Sequence, residues 1–146
     1  GLFPAAHLHS SIDLQPVLSV RAKITQVKDI PAGTGVSYGY RFIADQDLQL
    51  AVVEIGYADG IPRRLSDRMQ VAIRGRLVPQ IGSITMDRIM LDVSQIPDLH
   101  VGEIVTILGR DGMVEITADD WANELGTISW EILCGFKHRL PRVNKD

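Results

Sequence analysis

Leu18-Ser19-Val20-Arg21-Ala22-Lys23-Ile24-Thr25 is the stretch that decides the class of fold. Apolar side chains fall at every second position with polar ones between them, the period of a strand that buries one face. Working outward, Pro31-Ala32-Gly33-Thr34-Gly35 reads as a loop, punctuated by a proline and two glycines. Residues 48–55 are a near-continuous apolar run, consistent with a buried strand, and Gly56-Tyr57-Ala58-Asp59-Gly60-Ile61-Pro62 breaks it. Residues 69–73 and 76–81 predict a hairpin around Gly75, and residues 84–93 a further strand, ended by Pro97. Residues 103–108 and 113–116 flank Arg110-Asp111-Gly112, whose Asp-Gly step is a strong hairpin signal.

Only the end reads as helical. Thr117 offers a hydroxyl at an N-cap and Asp120 an acid three residues on, as in a capping box. Gly126 stands where a left-handed glycine would stop that helix, and a second short helix is expected over residues 129–136. Residues 140–143 read as extended. Many short strands with turns about every ten residues, and no alternation of strand and helix, predict an all-β, barrel-like antiparallel domain of Greek-key type with one or two short C-terminal helices.

The 146 residues suit one domain, and the hydrophobic fraction of 45% can supply a core without staples. A net charge of −3, with no run of like charges, argues against nucleic acid or an anionic membrane as partner. No signal-peptide pattern and no apolar stretch of membrane-spanning length is visible, so the expectation is a soluble, cytoplasmic protein. Cys134 is a single cysteine, so no internal disulfide can form, and it reads as a small packed side chain. Gly1-Leu2-Phe3-Pro4, without an initiator Met, reads as the middle of a longer chain, and residues 1–12 read as a linker or the tail of an upstream element.

Familiar chemistry is hard to find. His7 and His9 are close, yet nothing completes a metal site, so no metal is expected and both read as solvent-facing. There is no G-x-S-x-G turn, no G-x-G-x-x-G and no G-x-x-x-x-G-K-[ST]. Lys23, Lys28, Lys137 and Lys145 all lie in exposed-looking contexts, with none placed to anchor a carbonyl cofactor. What stands out is three glycine-flanked loops: Gly35-Val36-Ser37-Tyr38-Gly39-Tyr40, Gly56-Tyr57-Ala58-Asp59-Gly60, and Thr85-Met86-Asp87 after Gly82. Glycines permit close approach of a ligand or another backbone. On the residues alone, these loops are either tight turns plugged by aromatics or parts of a binding site.

At these loops the chain resembles a known family. The ordered set Ala32-Gly33, Val36-Ser37-Tyr38-Gly39, Ile55-Gly56-Tyr57-Ala58-Asp59-Gly60, Pro62-Arg63, Met86-Asp87, Val101-Gly102-Glu103 and Arg139-Leu140-Pro141-Arg142 resembles the C-terminal domain of the alanine racemases, over residues 14–142. The resemblance implies a two-domain enzyme dependent on pyridoxal phosphate, which interconverts L- and D-alanine for peptidoglycan synthesis. Its N-terminal (β/α)₈ barrel carries the cofactor lysine and most of the phosphate site. Two chains pair head to tail as a homodimer, so the C-terminal domain of one completes the active site in the barrel of its partner. Residues 1–13 would then be the end of the barrel domain or a linker, and residues 14–146 the β domain; alone, this chain is expected to be inactive.

Residue by residue, Tyr38 matches the catalytic tyrosine, the base for the proton of L-alanine opposite the lysine. A free phenol ionises near pH 10, so such a base needs a cation or donor beside it, not identifiable in this chain. Met86 matches the residue whose backbone N–H contacts the substrate carboxylate, and Asp87 would shape that turn. Tyr57 and Arg63 match residues of the active-site entrance, where they govern access and anion steering. Trp130 stands where the family has a tyrosine close to the cofactor phosphate, which puts that contact in doubt. Ser83 stands in place of an entrance arginine, implying a less cationic corridor, and Thr85 in place of a cysteine. Two other readings stay open: a related racemase of broader amino-acid range, and a β-barrel interaction module without chemistry. The sequence upstream of Gly1 would separate enzyme from module.

Overall fold

The computed structural model describes Gly1 and residues 14–144, and no metal or ligand is part of it. The expectations for residues 1–13 as linker, for His7 and His9 and for Lys145 therefore fall outside the described residues. Among the described residues nine strands form: β1 (Val20–Ile30), β2 (Gly35–Val36), β3 (Phe42–Ile43), β4 (Leu48–Val53), β5 (Gln70–Ile73), β6 (Arg76–Ile81), β7 (Ile89–Asp92), β8 (Ile104–Asp111) and β9 (Val114–Ile116). Two helices follow, α1 (Ala118–Leu125) and α2 (Ser129–Gly135).

The main sheet runs β1-β4-β7-β6-β5-β8-β9, and β1 also pairs with β8, which closes six antiparallel strands into a barrel with β9 as an appended hairpin arm. Strands β5, β6 and β7 are a meander, and β8 returns beside β5, which is the Greek-key order. Closure removes sheet edges that would otherwise recruit other chains. Inside lie the fully buried Ile24, Val53, Ile55, Val71, Ile73, Ile89, Leu91 and Ile107. Trp121 and Phe136, with ring centroids 6.1 Å apart, bring the two helices onto the same core.

Strand β4 reads as a continuous apolar run because it is buried on both faces. Ala51 and Val53 face the interior, while Leu50 and Val52 join a second cluster with Ile30, Val36, Ala44, Leu48 and Ile81 outside it. That outer cluster seats the β2–β3 hairpin against the barrel wall and so carries the Tyr38 loop.

Strand β1 runs past Thr25, where its alternation stops, because a bulge between Ile24 and Gln26 shifts the inward set. The strand expected over residues 84–93 is shorter, since residues 85–88 close on themselves: Thr85 N–H and Oγ1 both donate to the Arg88 carbonyl at 3.0 Å. The β5–β6 hairpin turns through Arg74 and Gly75, both with positive φ, 50° and 72°, as a type I′ turn demands. The β8–β9 hairpin turns one residue later than the Asp-Gly step implies, with Gly112 at φ 58° as its first loop residue. Thr117 and Asp120 form the expected reciprocal cap, at 3.1 and 2.7 Å, and Gly126 ends α1 at φ 69°. Cys134 is exposed rather than packed, because Ile132 and Phe136 take the inward face of this turn.

Candidate active site

Four loops converge on one end of the barrel. The turn of residues 56–60 lies directly on that of residues 85–86: Tyr57 N–H donates to Thr85 O and Ala58 N–H to Met86 O, each at 3.0 Å. Only glycine fits at position 56, because a Cβ there would stand 2.3 Å from Thr85 O and 2.4 Å from Met86 O. Asp59, buried, accepts from Gly56 N–H at 2.9 Å and so closes its own turn. Gly60 backs onto the end of α2, where its Cβ would meet Gly135 O at 2.6 Å.

Arg139, in the segment after α2, ties these turns together. Its guanidinium pairs with Asp59 Oδ1 at 3.2 Å and with Asp87 Oδ1 at 2.6 Å. The Asp87 bond, then the charge of Asp59, push the Arg139 pKa above its ordinary value. The 52 residues between Arg139 and Asp87 hide this contact from the sequence.

The Tyr38 loop meets the same end through residues 82–84. Ser37 Oγ donates to Ser83 O at 2.6 Å, and Ser83 Oγ donates to Tyr38 O at 2.9 Å. Ser83 itself is 1% exposed and faces the Tyr38 backbone. Ser66 Oγ links the next segment, accepting from Ile84 N–H at 2.9 Å and donating to Arg63 O at 2.7 Å.

Tyr38, Tyr57, Arg63 and Met86 are thus brought to one rim by backbone contacts, with their side chains directed to solvent. Tyr38 is 73% exposed, Met86 52% and Tyr57 42%. The Met86 N–H donates to no acceptor among the described residues, and Arg63 is exposed with no ion pair among them. Trp130, 43% exposed, lies in the first turn of α2, and no hydrogen bond among the described residues ties its indole to the other four. Among the described residues no group of three or more metal-ligating side chains gathers, and no helix is long and apolar enough to cross a membrane.

Comparison with known proteins identifies the family of the domain. Residues 17–144 match the family model described as alanine racemase, C-terminal domain. The alanine racemase of Nostoc sp. is 66% identical over 98% of the chain, and that of Synechocystis sp. 62% over 98%; the chain covers 37% and 38% of these relatives. Among solved structures, the alanine racemase from E. faecalis superimposes with a TM-score of 0.91 at 34% identity, over 97% of this chain and 38% of that one. The Bacillus anthracis alanine racemase with bound L-Ala-P gives 0.87 at 34% identity, over 94% and 35%. The chain thus spans somewhat over a third of the length of the relatives it matches, and over that span its sequence and its barrel agree: it belongs to the family of alanine racemase C-terminal domains.

Proposed function

We propose that residues 14–146 are the β domain of a longer, pyridoxal-phosphate-dependent alanine racemase, with residues 1–13 the end of its barrel domain or a linker. It would act in the cytoplasm and make D-alanine for peptidoglycan. The observation that carries this reading is the Tyr38 phenol, 73% exposed on a backbone fastened on both sides. A proton-transfer group must be open to its substrate and yet held to within a hydrogen bond's reach.

The rim suits a surface that completes another subunit's pocket. In a head-to-tail homodimer, Tyr38 faces the partner's barrel and takes the α-proton of L-alanine at its phenol oxygen, or returns one on the same face. The Met86 N–H, free of any acceptor among the described residues, donates to the substrate carboxylate. Tyr57 and Arg63 border the entrance, limiting access and attracting the anionic end of the amino acid. Pyridoxal phosphate, held mainly by the barrel, would supply the electron withdrawal that acidifies the α-hydrogen. The indole N–H of Trp130, a residue 43% exposed and without an acceptor for that N–H among the described residues, fits a donor to a phosphate oxygen.

The test is α-proton exchange of L- and D-alanine, followed separately in the full-length protein. Tyr38→Phe should lose L-alanine exchange selectively. Equal loss on both faces would refute the base assignment, and a wild type that exchanges neither enantiomer would refute alanine as substrate.

A further inference from the structure

Tyr38 sits in a backbone that its own sequence does not favour. Ser37 has φ 62° and ψ −170°, a region populated almost only by glycine. Gly39 follows at φ 72° and Tyr40 at φ 45°. Such a run persists only where its surroundings over-determine it. Those surroundings are residues 66–67 and 80–84. Gln80, 2% exposed, donates through Nε2 to the carbonyls of Ile81 and Gly82 at 2.9 and 2.7 Å and accepts from Asp67 N–H at 2.9 Å. Asp67 Oδ1 accepts from Gly82 N–H. Gly82, at φ 72°, lies so close to the Tyr38 loop that a Cβ would stand 2.8 Å from Val36 O. On this base, Ser83 accepts from the Ser37 hydroxyl and donates its own to Tyr38 O.

Among the described residues, the two bonds that reach the Tyr38 loop hold the Ser37 hydroxyl and the Tyr38 carbonyl, and none of these bonds ends on the phenol. Resting on the proposed role of Tyr38, we propose that Ser37 and Ser83 are positioning residues: their reciprocal clasp fixes the peptide planes flanking Tyr38 and leaves only its side-chain torsions to aim the phenol. An error of about 1 Å in placing a reacting group can cost about 100-fold in rate.

A purely structural clasp and a positioning clasp differ in one variant. Ser37→Gly removes a hydroxyl and also relieves the unfavourable φ. The unfolding midpoint should therefore hold or rise, while L-face chemistry falls; a structural role would move both together.

The clasp can be read without cofactor. The chain has three tyrosines, so labelling with 3-fluorotyrosine gives three fluorine resonances, assigned by Tyr→Phe variants. In Ser83→Ala and Ser37→Gly the Tyr38 resonance should narrow and move toward that of free fluorotyrosine, with Tyr57 unmoved. In the full-length protein, the same variants should lower L-alanine α-proton exchange about 10- to 100-fold and D-alanine exchange by less than about 3-fold. An unchanged Tyr38 resonance in both variants, or equal losses for the two enantiomers, overturns the proposal. If the wild type exchanges no alanine, the functional reading fails, and the fluorine spectra alone decide the clasp.

Discussion

Replacing Gly56 by alanine should separate the two turns on which the rim is built. The backbone there is extended, φ −149° and ψ −160°, so alanine meets no torsional obstacle. The obstacle is contact: a Cβ at 2.3 Å from Thr85 O and 2.4 Å from Met86 O needs roughly 1 Å of separation to reach ordinary van der Waals distance. That movement carries the bonds from Tyr57 and Ala58, both 3.0 Å now, beyond hydrogen-bonding range. Two lost bonds, each with a partly buried partner left unmatched, cost about 3–4 kcal/mol. The lower entropy of an unfolded alanine offsets about 0.4–1 kcal/mol of that. A net loss of about 2–3 kcal/mol lowers the melting temperature by about 6–12 °C for a domain of this size. Thermal unfolding followed by tryptophan fluorescence is a suitable assay, since Trp121 is 3% exposed in the folded state. A midpoint within about 2 °C of wild type would mean that the turns yield freely, and the reasoning that the rim is rigidly stacked would be wrong.

Two further predictions concern ion pairs. Arg74, donating to both Glu103 oxygens at 2.8 and 2.6 Å, holds the Glu103 carboxyl below its ordinary value of 4.5, against an opposing effect of burial. With the folded pKa lowered, the stabilisation is complete above the unfolded value and is lost as pH falls through the folded one. Urea midpoints of wild type and Glu103→Gln should thus differ at neutral pH and converge below about pH 4.5; a gap undiminished in acid would refute this. Arg139→Gln, which unties Asp59 from Asp87, should raise KM for alanine several-fold in the full-length protein with a smaller change in kcat, because it loosens the Met86 turn rather than the proton-transfer group. A fall confined to kcat would refute that assignment.

Much of the barrel was legible because its signals are local. The alternation at residues 18–25, the glycine at the β5–β6 turn and the Thr117–Asp120 cap each act through neighbours a few residues apart, and each formed where expected. Failures came where a distant partner overrode the local pattern. Strand β1 continues through its bulge because β4 pairs with it there, and Ile84 leaves its expected strand because Ser66 captures its N–H. The site divides the same way. Tyr38, Tyr57, Arg63 and Met86 could be picked out by resemblance. That they share one rim depends on contacts such as Ser83 to Tyr38, separated by 45 residues, and Arg139 to Asp87, separated by 52.

What the sequence by itself determined is which residues prefer strands, where turns can form, and which side chains carry chemistry, because propensity, glycine conformation and capping are properties of a few adjacent residues. Only the tertiary structure decided that Ser83 points inward to grip a tyrosine backbone and that Ser37 adopts a glycine-like conformation. Closing the barrel brings loops distant along the chain within hydrogen-bonding distance, and a conformation unfavourable in isolation is held by bonds that exist only after closure.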